Sequence, residues 1–167
     1  MTEQRTLLLL RHADAEATRP GHRDRDRRLS EQGREQAAAV GETIRSAGWA
    51  VDQVLCSPAV RVRETVDGLE LPEDVEVEVV DSLYDAGSDG IIELIQALPD
   101  QVRCALVVGH APGVPGVLHE LVDPATADPA TWSVVETRYP SATLAALTVP
   151  DWSELLGARL IAAVLAR

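Results

Sequence analysis

From Thr6 to Leu10 the chain runs through four consecutive leucines with no alternation of apolar and polar side chains. That is the pattern of a strand covered on both faces, and it stops abruptly at Arg11 and His12. Ala105 to Val108 repeats the grammar, an apolar run giving way to Gly109 and His110. Between these runs, Ala37, Val40, Gly41 and Ile44 recur at the spacing of one helical face. They predict a helix over Glu31 to Ala47, capped by Ser30 and stopped by Gly48. Gln53 to Cys56 predicts a second buried strand that feeds into a helix through Ser57-Pro58, Ser as cap and Pro in the first turn. Glu76 to Val80 alternates like an edge strand, and Gly90 to Leu98 and Val114 to Leu121 read as helices. Asp123 to Thr131 reads as a proline-containing loop and Ala142 to Val149 as a late strand. Leu155, Leu156, Leu160, Ala163 and Val164 predict a closing helix over Trp152 to Leu165.

Strands alternating with helices predict an α/β fold: one domain over residues 1–167, with a central, mostly parallel sheet flanked by helices on both faces. A length of 167 residues suits one core. The 46% apolar content is ordinary, and no run approaches the ~20 apolar residues of a membrane helix. Leu7 to Leu10 is shorter than the ~7 to 15 residues of a signal-peptide core, so a cytoplasmic location is expected. Cys56 and Cys104 each sit in an apolar run and read as reduced core residues. Charge changes the picture more: 15 basic against 27 acidic residues leaves −12. This field repels nucleic acid and anionic membrane, so neither is expected as a partner, and any anion needs a local basic pocket. Every basic residue is Arg, whose planar fork matches phosphate.

In an open α/β sheet ligands bind beyond the carboxyl ends of the strands. If the strands ending at His12 and His110 are neighbours, both imidazoles face one crevice. Arg11 adjoins His12, and Arg61 lies in the first turns of a helix that follows another strand. Two arginines and two histidines make a phosphate site, with helix N–H groups adding donors. Lacking acidic ligands nearby, the cluster suits a divalent metal poorly, and no cofactor is expected. Arg63, His22 and His119 read as solvated or structural residues. The Arg19 to Arg28 run, interleaved with acids, reads as a solvated loop that can also recognise an acidic or phosphorylated partner.

Four segments carry a family likeness. Leu8-Leu9-Leu10-Arg11-His12-Ala13-Asp14-Ala15-Glu16 resembles the strand and Arg-His-Gly motif of the histidine phosphatase superfamily, in the Arg-His-Ala variant of its small SixA-like phosphohistidine phosphatases. Asp24 to Gly33 is similar to that subgroup's Asp-x-x-Arg-Pro-Leu-Thr/Ser-x-x-Gly segment, with Arg28 in place of proline. Ser57-Pro58-Ala59-Val60-Arg61-Val62-Arg63-Glu64-Thr65 resembles Ser-Pro-x-x-Arg-x-x-x-Thr. Val107 to Pro112 resembles Val-Gly-His-Asn-Pro, with Ala111 in place of Asn.

The resemblance implies a phosphoglycerate mutase-like fold and a metal-independent phosphatase. It also implies that His12 is the nucleophile, Arg11 and Arg61 bind the phosphoryl oxygens, and His110 assists at the same phosphate. A neutral imidazole can attack phosphorus and split hydrolysis into two easier steps while the arginines hold the charge. For the leaving-group acid, Leu83-Tyr84-Asp85 is the nearest match to the Leu-x-Glu-like segment of larger relatives, which makes Asp85 the candidate. The 97 residues between His12 and His110 leave little room for a large cap over the pocket. An open pocket suits a protein bearing phosphohistidine. A small phosphate ester, as for a phosphomonoesterase or a mutase-like enzyme, is the alternative substrate, and a non-catalytic phosphate-binding module is the third reading.

Overall fold

The protein is described by a computed structural model over residues 3–166. Leu7 to Leu10 lie in β1 (Arg5–Arg11), and all four side chains are fully buried. Burial at about 2 kcal/mol per leucine side chain makes this strand the rigid centre on which the rest is hung. The remaining strands are β2 (Gln53–Cys56), β3 (Glu76–Val79), β4 (Cys104–Gly109), β5 (Thr143–Val149) and β6 (Arg159–Leu165). They form one mixed sheet in the order β3-β2-β4-β1-β5-β6. The first four in chain order are mutually parallel; β5 runs antiparallel to β1 and β6 antiparallel to β5.

Alternate residues of the central strands feed two cores. Leu8, Leu10, Leu106 and Val108 pack with α1 (Glu31–Ser46) and α2 (Val60–Gly68). Leu7, Leu9 and Val107 pack on the other face with α3 (Ser88–Gln96), α4 (Gly113–Leu121) and α5 (Pro129–Val135). The period-two alternation is hidden in the sequence because both sets must be apolar. No helix among the described residues is long and apolar enough to cross a membrane. Cys56 and Cys104 are buried free thiols in the sheet, as expected. Burial raises both thiol pKa values, to about 11 for Cys56 and about 12 for Cys104.

The helix α1 begins as its sequence requires, with Ser30 Oγ accepting from Gly33 N at 3.0 Å, and the chain leaves it through Gly48 at φ +72°. A Cβ on Gly33 would run into the backbone of Asp14, so this glycine lets α1 approach the segment that follows His12.

Three expectations are corrected. Residues Trp152 to Leu165 are not a helix: Gly157, at φ +90°, turns the chain and residues 159–165 form β6 along the free edge of β5. Their apolar spacing fits a helix face in isolation, but pairing with β5 satisfies a whole row of backbone groups that a helix there would leave open. The loop read over Asp123 to Thr131 already contains the start of α5, where Asp128 accepts from Thr131 N at 2.9 Å and Pro129 takes the first turn. Ser57 does not cap α2; Ala59 stands at that cap with no side-chain bond, and Ser57 is used elsewhere.

Candidate active site

Because β1 and β4 are parallel neighbours with Arg11 opposite Gly109, the residues just past their carboxyl ends fall side by side. The backbone N–H of His12 donates to Gly109 O at 3.0 Å, and the two imidazole rings stand 5.4 Å apart, edge to face. The turn after β1 is pinned from β5's side as well. Ala142 N donates to the carbonyls of both Arg11 and His12, at the cost of a positive φ of 62° that a non-glycine residue adopts only under constraint.

His12 is buried, with its Nδ1 2.7 Å from the carbonyl oxygen of Ala13. A carbonyl only accepts, so Nδ1 carries the proton and the lone pair is left on Nε2. Ala13 is itself held, its N–H donating to Thr65 Oγ1 at 3.0 Å, and that hydroxyl donates to Arg61 O at 2.7 Å. Thr65 thus ties the loop after β1 to α2.

Arg61, 5% exposed, organises the site. Its Nε lies 3.4 Å from His12 Nε2 and its Nη2 3.4 Å from His110 Nδ1. At the far end of the fork, Nη1 donates to Asp24 O at 2.9 Å and Nη2 to Asp24 Oδ2 at 3.0 Å. Since a guanidinium only donates, His110 Nδ1 accepts and its Nε2–H points to Ser57 Oγ at 2.8 Å. Arg11 reaches the same space from the β1 end, its Nη1 donating to Tyr139 O at 2.9 Å while its Nε is a buried donor with no partner among the described residues.

Electrostatics follow from this packing. Burial, with the charge of Arg61 adding to it, lowers the pKa of both His12 and His110 to about 4. Both rings are therefore neutral at ordinary pH. Arg11 is also lowered, by burial and then by the repulsion of Arg61. A phosphoryl dianion bound between the two guanidiniums would relieve that repulsion. Asp24 is driven the other way, to about 2, first by the Tyr84 hydroxyl that donates to its Oδ2 at 2.6 Å and then, against a burial cost, by Arg27 and Arg61.

The resulting pocket, about 300 Å³, gathers Arg11, His12, Arg61 and His110 at its base and Asp24, Arg27, Tyr84 and Asp85 at its mouth. All five residues singled out in the sequence are thus brought together. Asp85 is exposed and acts on His110 through its charge. Arg63 is exposed, as is His22, in keeping with their reading as solvated. Sequence reasoning missed the parts played by Asp24, Tyr84 and Ser57. Asp24 opens the second motif and Tyr84 precedes Asp85, so both lay inside segments already singled out.

Residues 7–112 match the family model described as histidine phosphatase superfamily (branch 1). The chain belongs to that superfamily. It is 35% identical over 161 residues to an uncharacterized protein of Mycobacterium leprae, covering 92% of this chain and 97% of the relative. Identity to the phosphohistidine phosphatase SixA homolog of Haemophilus influenzae is 27% over 126 residues, 69% of this chain and 76% of the relative. Among solved structures, the "putative phosphohistidine phosphatase SixA" of Nakamurella multipartitia superposes with a TM-score of 0.81 at 33% identity, covering 98% of this chain and 97% of that one. The protein is a SixA-like histidine phosphatase with the phosphoglycerate mutase-like fold. The motif order read from the sequence is the order in which this phosphatase lines its pocket.

Proposed function

We propose that this phosphatase hydrolyses phosphohistidine on a protein substrate, without a metal ion, through a phosphohistidine formed at His12. The observation that carries the reading is the state of His12: neutral, with its proton fixed on Nδ1 by the Ala13 carbonyl and its lone pair on Nε2 beside Arg61. In the first step Nε2 bonds to phosphorus while the bond to the leaving group breaks. His12 becomes a phosphoimidazolium whose Nδ1–H still rests on Ala13. In the second step water attacks phosphorus and His12 departs as the same neutral tautomer. His110, neutral with its one lone pair on Nδ1, takes the proton of that water there once the phosphoryl oxygens draw Arg61 Nη2 away from that nitrogen. Arg11 and Arg61 supply the charge that a metal ion would otherwise bring to the transferring group. Asp24 and Asp85 at the mouth are both exposed, which leaves room for a protein surface to reach the base.

The deciding assay measures phosphate release from a phosphohistidine-bearing protein and from p-nitrophenyl phosphate, each with excess chelator. The expected result is turnover that survives chelation, with the higher kcat/KM on the phosphohistidine protein. Loss of turnover on chelation overturns metal independence, and preference for the ester supports the small-ester reading. That second reading is favoured by one feature, the Asp85 carboxyl at the mouth, a candidate proton donor to an ester oxygen. Asp85→Ala is accordingly expected to slow ester hydrolysis several-fold more than phosphohistidine hydrolysis.

The pH dependence carries its own expectation. Both histidine pKa values are depressed, so the neutral forms are present above about pH 4 and lost as pH falls through it. After correction for ionisation of the substrate, the acid limb of kcat/KM is expected near pH 4. A limb near 6.5 would show that His12 is not desolvated in the working enzyme.

A further inference from the structure

Asp24 stands at the opposite end of the Arg61 fork from His12. An in-line displacement places the leaving group on the far side of phosphorus from its attacker, so with His12 Nε2 as attacker the leaving group emerges at the Asp24 end. Resting on the proposed function, we infer that Asp24 accepts the N–H of the departing imidazole and thereby selects phosphohistidine over phosphate esters.

Three donors hold the Asp24 carboxylate in place. Oδ2 accepts from Arg61 Nη2 at 3.0 Å and from the Tyr84 hydroxyl at 2.6 Å, while Oδ1 accepts from Arg27 Nε at 2.9 Å. Arg27 is in turn fixed by its Nη1 on Glu16 O at 2.9 Å, and the Tyr84 ring leans edge-on against His110. A carboxylate has about four acceptor positions, so Oδ1 keeps one open. Held in its ionised form by these donors, Asp24 has no proton to give an ester oxygen; what it offers is a fixed acceptor and a negative charge.

Those properties fit a phosphorylated imidazole. In its reactive form one ring nitrogen carries phosphorus and the other a proton, and the ring is cationic. As Nε2 of His12 bonds to phosphorus, the P–N bond of the substrate breaks and its electron pair returns to the ring nitrogen. The imidazole leaves neutral, still bearing its N–H. No proton changes hands, and both imidazoles are arranged alike, one N–H on the Ala13 carbonyl and the other on Asp24. The ring keeps partial positive charge in the transition state, so an anion beside it lowers the barrier measured from the neutral free substrate. For an ester the same carboxylate faces an oxygen that gains negative charge, which it repels.

Steady-state kinetics of wild type and Asp24→Asn on phosphoimidazole and p-nitrophenyl phosphate test this. The ratio of kcat/KM values, phosphoimidazole over ester, is expected to fall tenfold or more in Asp24→Asn. The basic limb of kcat on phosphoimidazole should move to lower pH, because the negative charge that holds the proton on the bound ring is then gone. Asp24→Glu, which keeps the charge, should recover part of the ratio and of the limb. An equal loss on both substrates with an unmoved limb would overturn the inference and leave Asp24 as a positioning residue for Arg61. A wild type that hydrolyses the ester but not phosphoimidazole would overturn the underlying functional reading instead.

Discussion

Replacing His12 by alanine is expected to lower turnover by about 10⁴-fold or more on every substrate while leaving the phosphate site able to bind. The first half follows from covalent catalysis. If the phosphoryl group must pass through Nε2, a side chain without a lone pair there removes the route, and water must attack the substrate directly. The second half follows from the geometry, since Arg61 is held by Asp24 and Arg11 by Tyr139, neither through His12. Inorganic phosphate, followed by calorimetry, is therefore expected to bind the variant within a few-fold of wild type. Rapid acid-sparing quench of wild type with labelled substrate should trap a phosphoenzyme that survives base and decays in acid, the behaviour of a P–N bond. The variant should show none. Labelling that persists in His12→Ala would place the nucleophile at another residue, with His110 the nearest imidazole at 5.4 Å between rings.

The parts of this site that were legible in the sequence are those written as local grammar. An apolar strand ending in a histidine is readable at Leu10-Arg11-His12 and at Val108-Gly109-His110 because each strand is buried on both faces and its end is marked by the first polar side chain. Their adjacency was a topological expectation, and the register of Arg11 with Gly109 supplies it. Asp24 was harder to see. It comes from a single short turn, Asp24–Asp26, and reaches Arg61 and Tyr84 across 37 and 60 residues of sequence. No periodicity records such a convergence. The fate of residues 159–165 was hidden for a different reason: Leu160, Ala163 and Val164 fit a helical face and a strand alike, and only the unpaired edge of β5 decides between them. The start of α5 was legible in Asp128-Pro129, a cap followed by a first-turn proline, but the prolines around it read as loop.

Arg61→Lys is expected to reduce kcat/KM by about 10²- to 10³-fold despite keeping the charge, with weaker phosphate binding accounting for part of the loss. Four contacts depend on the shape of the guanidinium. Its Nε and Nη2 face His12 and His110, and its Nη1 and Nη2 hold both the backbone and the carboxylate of Asp24. A lysine ammonium is one compact point and cannot meet the two histidines and both Asp24 oxygens together. It would also stand in a buried place near Arg11, where burial and like charge both favour losing its proton. The damage extends beyond the base of the pocket. Asp24 would keep Tyr84 and Arg27 but lose its tie to α2, so the segment from Ala13 to Arg28 should exchange amide hydrogens faster, which separates loss of the clasp from global unfolding. Arg63→Lys, two residues along on an exposed face, is the matched control and should leave kinetics and exchange as they are. If Arg61→Lys retained activity within threefold, the phosphoryl group would have to be held chiefly by Arg11, whose unpartnered Nε is the one buried guanidinium donor at the site left to take a second oxygen.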